Sequence, residues 1–319
     1  DILEKYYEVD NTDFLEDLKD LGFYVAEESN SNYIQTLLSV GSTLNMNYLS
    51  TLDINGKELQ NRHDLINIIQ HNEVRRILSE KGYGTISFKN QYKATIPDAT
   101  IFYDDTSQNL ISPLSHFESV VLEHSLLRIL YHWDVARAVL GEMPYKVHRD
   151  QILSTFVHLK EVPSLEGHYF VYAHIISPHP PFIFDENGTF RPRREAFSLA
   201  DANSYIKTHS QKDYLVGYGK QIQYTNTLVL ETIKEILSRS STPPIIIIQG
   251  DHGPGAFLNW GALERTTPEE RFGILNAYYL PQTNEDMLYS SISPVNSFRV
   301  VLNLLFEKEY PLLDDIHYY

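Results

Sequence analysis

Four consecutive isoleucines, Ile245 to Ile248, run without polar alternation into Gln249-Gly250-Asp251-His252-Gly253. Such a run of β-branched residues fits a strand covered on both faces, the setting of a parallel sheet between helices. It confines the chain to an α/β layer arrangement. It also places chemistry, because functional groups in such sheets collect beyond the carboxyl ends of the strands. Asp251 and His252 fall there, between two glycines where the backbone can turn sharply. A carboxylate oxygen beside an imidazole suits Zn²⁺ or Mn²⁺. Taken alone, the dipeptide fits equally well with Asp251 capping the next turn and His252 bonding locally.

The rest of the chain repeats the α/β theme. Phe14 to Leu21 has helical spacing stopped by Gly22, and Phe23 to Ala26 reads as a strand. Ile34, Leu37, Leu38 and Leu44 share one helical face, which predicts a helix starting between Tyr33 and Thr36. Residues 58–82 read as helix, and Gly84 to Phe88 and Thr100 to Tyr103 as short strands. Ser115 to Leu140 is amphipathic, and residues 105–165 suit an inserted helical lobe. His168 to Ile176 predicts a strand that Ser177-Pro178-His179-Pro180-Pro181 ends abruptly, so it too delivers a His at its end. A long helix over Asp213 to Ser238, a strand over Phe272 to Leu280 and a closing helix over Pro294 to Phe306, capped by Ser293, complete the pattern. With no internal repeat or linker, residues 1–319 read as a single domain.

Composition removes several function classes. A formal charge of −16, from 26 Lys and Arg against 42 Asp and Glu, argues against nucleic acid as a partner. The absence of Cys excludes disulfides, zinc–thiolate sites and cysteine nucleophiles. No apolar run approaches the roughly 20 residues of a membrane span. The chain starts at Asp1 without a Met and so reads as a fragment that is itself soluble.

Asp251 and His252 need partners. The loop–helix junction Ser29 to Thr36 offers hydroxyls, and Thr36 is the one best placed at a helix start, where free N–H groups favour an anion and a metal would lower the hydroxyl's pKa. The competing reading is that Ser31, Asn32 or Thr36 simply caps the helix. His179, held between prolines, could donate to a nonbridging or leaving oxygen. His174 reads as packed in the sheet, and His116, His124 and His132 have no ligand-like spacing. Arg191, Arg193 and Arg194 are a weaker candidate for gripping a charged head group.

These segments, in this order along the chain, resemble the alkaline phosphatase and sulfatase superfamily, and within it the sulfatase-like proteins related to lipoteichoic acid synthases and phosphoglycerol transferases. The resemblance covers essentially the whole chain. It implies a three-layer sandwich with a mostly parallel central sheet flanked by helices. Ser31 to Ser39 matches the nucleophile segment, which implies Thr36 as the residue transiently esterified and in contact with the metal. Gly250-Asp251-His252-Gly253 matches the metal segment and implies Asp251 and His252 as ligands. Pro178 to Phe182 is similar to the segment carrying the substrate-contacting histidine, which implies that role for His179.

Two departures shape the expected chemistry. Formylglycine sulfatases need a Cys or Ser in a Cys/Ser-x-Pro/Ala-x-Arg motif, which is absent around Thr36. The superfamily also takes an acidic metal ligand from the end of its first strand, and no hydrophobic strand precedes Phe14, so that ligand is expected upstream. The acidic, His-rich segment of two-metal members is absent, which favours one divalent ion, Mn²⁺ or Zn²⁺ ahead of Mg²⁺ or Ca²⁺. The expected activity is hydrolysis or transfer of phosphate-type esters bearing a phosphoglycerol-like or related head group, the substrate being a small anionic ester or a lipid or polymer head group. A sulfate-ester or phosphonate hydrolase and a noncatalytic sulfatase-like binding module are the alternatives. The resemblance further implies a domain outside the cytoplasm, held at a membrane by sequence this chain lacks.

Overall fold

The computed structural model describes residues 2–54, 57–105, 142–191, 197–281, 287–306 and 308–319. The expected helix over residues 115–140, with its three histidines, lies outside them, as do Arg193 and Arg194. Helices α1 (Ile2–Tyr7) and α2 (Thr12–Asp20) lead into strand β1 (Tyr24–Val25). Gly22 makes this exit with φ +93°, a left-handed conformation that side chains other than glycine resist. Helix α3 (Thr36–Asn45) starts where the apolar spacing places it. A two-stranded β2–β3 ribbon (Asp53–Ile54 and Lys57–Glu58) follows.

The helix expected over 58–82 is two helices, α4 (Arg62–Gln70) and α5 (Glu73–Glu80). Asn72 divides them: its fully buried side chain donates to Ile69 O at 2.8 Å and accepts from Arg75 N at 2.9 Å. One amide thus closes the first helix and caps the second. Strands β4 (Gly84–Phe88), β5 (Ile101–Tyr103) and β6 (Tyr169–Tyr172) form a parallel sheet in the order β5-β4-β6. Between β5 and β6 lies α6 (Met143–Glu161). Although it falls within the expected inserted lobe, its Tyr145, Ile152 and Phe156 sit in the core with Ile183, Phe184 and Phe197.

Beyond β6 come α7 (Ala202–Thr208), the long α8 (Gln211–Arg239), β7 (Ile246–Gln249), α9 (Pro268–Phe272), β8 (Asn276–Tyr279) and α10 (Pro294–Phe306). Helix α8 opens with a reciprocal Ser210–Asp213 capping box. Ser293, expected to cap α10, instead donates its hydroxyl to Asp315 at 2.5 Å. The strand expected over Phe272 to Leu280 is shorter: Phe272 ends α9, and only Asn276–Tyr279 pairs. It runs antiparallel to both neighbours in the order β1-β8-β7. The α/β class is therefore as expected, but the strands form two three-stranded sheets, one parallel and one antiparallel, in place of one mostly parallel sheet. The return from β7 to β8, through Gly250 to Leu275 and α9, brings β8 alongside β7 in the opposite direction, with Ile247 facing Tyr278 and Gln249 facing Asn276.

The two sheets share their helical cover. Val229 of α8 packs in the cluster of Ile175 and Phe156 and in that of Ile246 and Ile248. On the other face, α10 sets Phe298 against Phe170 of β6, and Val300 and Val301 in the cluster of Ile245 and Ile247. Among the described residues β6 pairs only with β4, and β7 only with β8.

Helix α6 also buries His148, which is 1% exposed. Burial pushes its imidazole down from 6.5 to about 3, with His179 adding to the effect. Because the folded form holds fewer protons than the unfolded chain below pH 6.5, His148 supports the fold fully above that pH and progressively less as pH falls towards 3. Wild-type stability in denaturant is expected to drop by up to about 1.4 kcal/mol per pH unit more than that of His148→Gln over this window. Parallel pH profiles for the two proteins would refute this.

Candidate active site

Loops after β6 and β7 and the start of α3 converge. The N-cap of α3 is Gln35, in extended conformation and without a side-chain cap bond. Thr36 is therefore the first helical residue, and its hydroxyl is not used as a cap. Its Oγ1 lies 3.1 Å from His252 Nε2. Of the other candidates for that cap, Asn32 is fully buried and binds Tyr48, Ser293 and Ile316 O, and accepts from Val295 N.

Gly253 O accepts the His252 Nδ1–H at 2.9 Å. This fixes the tautomer with the proton on Nδ1 and leaves the Nε2 lone pair facing Thr36. Asp251 Oδ2 is 3.4 Å from the same nitrogen. Burial raises the Asp251 carboxyl, but His252, His174, the Thr36 hydroxyl and Arg271 together hold it below the usual carboxylate range. Burial pushes the His252 imidazole down, and Arg271 reinforces this. The pair is thus a carboxylate beside a neutral imidazole. A carboxylate oxygen, an imidazole lone pair and a hydroxyl on one point form a donor set that fits a divalent cation such as Zn²⁺ or Mn²⁺. The set is partial: among the described residues no three His, Asp or Glu side chains gather as a cage.

His179 follows β6 in the Pro178-His179-Pro180 turn. Gln221, fully buried on α8, holds this loop by donating to His179 O at 3.2 Å and accepting from Ile183 N and Phe184 N. The His179 Nδ1–H donates to Pro180 O at 2.5 Å. Burial lowers its pKa, against the pull of Pro180 O and Asp251. A neutral ring with its proton on Nδ1 leaves Nε2 as an acceptor. His174 lies past the end of β6, where Thr95 Oγ1 is 2.6 Å from its Nδ1, and burial lowers its pKa against the pull of the Asp251 carboxylate. It borders the site instead of packing within the strand. Arg191 pairs with Asp185 at 2.9 Å, so it is not a free anion grip.

Arg271 was not foreseen. It is 5% exposed, and its Nε and Nη2 donate to Ile34 O while Nη1 donates to Gly253 O at 3.0 Å. Its Nη2 is also 3.4 Å from His252 Nε2. One guanidinium thus ties the segment before Thr36 to the loop carrying Asp251 and His252. Its neighbour Glu270, fully buried, accepts from the Tyr7 hydroxyl and from Ala256 N at 2.8 Å, fixing the far end of the same loop. In sequence, Glu269-Glu270-Arg271 looks like a solvated charge run. Arg271→Lys keeps the charge but lacks the planar fork, and is expected to weaken metal binding or turnover by about 10- to 100-fold. Wild-type values for both would refute the tether.

No protein-family model matches this chain, and no curated protein matches it by sequence. Solved structures do match in fold. The C-terminal periplasmic domain of phosphoethanolamine transferase EptC from Campylobacter jejuni is 14% identical, with TM-score 0.51 over 95% of this chain and 84% of that one. The corresponding domain of EcEptC from Escherichia coli, solved in complex with Zn, is 13% identical, with TM-score 0.54 over 95% and 78%. The soluble domain of lipooligosaccharide phosphoethanolamine transferase A from Neisseria meningitidis is 14% identical, with TM-score 0.52 over 91% and 79%. At such identities the likeness is one of fold. Among the described residues no helix is long and apolar enough to cross a membrane.

Proposed function

We propose that this chain is a divalent-metal-dependent enzyme that hydrolyses or transfers phosphate-type esters, with Thr36 as nucleophile and Asp251 and His252 as metal ligands. The observation that carries this reading is the convergence of Thr36 Oγ1 and Asp251 Oδ2 on His252 Nε2, at 3.1 and 3.4 Å. A bound divalent ion would supply Lewis acidity, lowering the hydroxyl's pKa and offsetting negative charge on the transferring group. Thr36, at the start of α3, sets the line of attack, and the free N–H groups of that first turn face the anion. Arg271 holds the two loops in register. His179 Nε2 takes the proton of the incoming hydroxyl in the second step, when water or an acceptor alcohol displaces Thr36.

A phosphate-type ester is preferred because a threonine ester can be resolved by in-line displacement, and because the similar folds belong to phosphoethanolamine transferases, one of them solved with Zn. Two of those domains are described as periplasmic, and by that likeness we propose that this one works outside the cytoplasm. The test is turnover of chromogenic phosphodiester, phosphomonoester, phosphonate and sulfate-ester substrates with and without chelator. Phosphodiester turnover that chelator abolishes and Mn²⁺ or Zn²⁺ restores is expected. Preference for a sulfate ester or phosphonate would reassign the reaction, and no turnover with no stoichiometric metal would leave a noncatalytic binding module.

A further inference from the structure

Residues 310–319 carry no regular structure beyond one bridge at Tyr318, yet side chains hold them along their length. Asn303, Arg299 and Asn296 on α10, and Ser293 just before it, fall three or four positions apart and so share one face. Asn303 bonds both backbone groups of Tyr310 at 2.8 and 2.9 Å, and Arg299 Nη1 donates to Pro311 O at 2.7 Å. Asn296 does the same for Leu313 at 2.8 and 2.9 Å, and Ser293 meets Asp315. The segment therefore runs back along α10, antiparallel to it. Past Asp315 it crosses the residues that lead into Thr36. Asn32 Nδ2 donates to Ile316 O at 3.0 Å, His317 Nδ1 to Ser31 O at 2.9 Å and Tyr318 N to Asn32 O at 2.8 Å. The Tyr318 ring stacks on Tyr33, with centroids 5.1 Å apart and planes 15° from parallel. Tyr319 then reaches the loop that follows Asp251 and His252: its hydroxyl donates to Asn259 O at 2.6 Å and lies 2.9 Å from Thr266 Oγ1.

We infer that residues 316–319 are a clasp that fixes Thr36 in register with the Asp251–His252 pair, with Tyr318 and Tyr319 as positioning residues. The inference rests on the phosphate-ester reading above, in which Thr36 attacks. The clasp complements Arg271. That guanidinium is buried and bonds Ile34 O and Gly253 O, so it ties the two loops from within. A tether at one place leaves the loops free to pivot about it. The clasp bonds the same two loops at Ser31, Asn32 and Asn259, from the exposed side, and removes that freedom. On the side away from the clasp, Ser31 N donates to Phe272 O at 2.7 Å and Ile274 N to Ser29 O at 3.2 Å, so the lead into Thr36 is bonded along both edges. Tyr318 and Tyr319 are 38% and 44% exposed, so changing them opens no cavity in the core. Their effect falls on geometry, where a displacement of about 1 Å is enough to cost a large part of the rate.

Steady-state kinetics on bis(4-nitrophenyl) phosphate at saturating Mn²⁺, with melting temperature and bound metal measured on the same samples, test this. Tyr319→Phe removes one hydroxyl, and Tyr318→Ala removes the stack on Tyr33. Each is expected to lower kcat about tenfold, with KM within about twofold of wild type and the melting temperature nearly unchanged. Tyr318→Phe keeps the ring and should restore most of the wild-type kcat. A purely structural contribution would show the opposite split: a lower melting temperature and less bound metal, with kcat per bound metal at the wild-type value. That result, or wild-type kcat in both variants, would overturn the clasp and leave the phosphate-ester reading intact. If Tyr318→Ala fails to fold, Tyr319→Phe decides alone. A wild type without turnover on this ester would overturn both.

Discussion

Thr36→Ala is expected to lower ester turnover by at least about 10³-fold while leaving the fold in place, because removing a nucleophile eliminates the attacking atom instead of weakening a contact. The stability side follows from the helix start. Gln35 occupies the N-cap and the Thr36 hydroxyl makes no cap bond, so its loss removes contacts within the site, with His252 and the Asp251 carboxylate, and none that caps the helix. Thr36→Ser should retain much of the activity, since it keeps the oxygen at the same place. Asp251→Ala should match Thr36→Ala in turnover and also lose metal, measured by equilibrium dialysis. Residual activity of Thr36→Ala within tenfold of wild type would end the nucleophile assignment. The same result alongside inactive Asp251→Ala would point to a metal-activated water in its place.

The second large effect is expected at Gly253, where Gly253→Ala should destabilise the protein by about 3 kcal/mol or more and abolish turnover together with metal binding. A Cβ there would stand 2.1 Å from Glu270 O, 2.7 Å from Gly273 O and 3.0 Å from Arg271 O. All three are backbone atoms, and Gly253 N is itself held by Arg271 O at 2.8 Å, so neither side can step aside cheaply. Relief must come from moving the Asp251–His252 loop away from α9, which breaks the Arg271 bond to Gly253 O. A Gly253→Ala protein with wild-type melting temperature and metal affinity would show that the two loops are not packed as described.

How far the sequence foretells this molecule depends on the range of the interactions involved. The Ile245 to Gly253 segment announces itself because strand, turn and ligand types are all written within nine residues. The start of α3 is legible for the same reason, through apolar spacing. Asn72 is harder: residues 58–82 carry enough helical pattern to hide a break that one buried amide makes. The direction of β8 is not local at all, since it depends on pairing with β1 and β7 from distant parts of the chain. Arg271 is the extreme case. Its partners are carbonyls, a group every residue has, and one of them belongs to Ile34, 237 positions away. Nothing in residue type or spacing can mark such a contact.

Among the described residues β6 and β7 each have one side without a strand partner, which bears on how the protein behaves in concentrated solution. A strand whose ladder is unpaired on one side among the described residues is a template for pairing with another chain, even where its isoleucines are partly buried. What opposes this is the formal charge of −16, which keeps copies apart. That repulsion reaches about 30 Å at 0.01 M salt but only about 3 Å at 1 M. Self-association should therefore grow with ionic strength and as pH approaches the sequence pI of about 5.2, so colloidal stability rests on the acidic surface and not on the sheet beneath it.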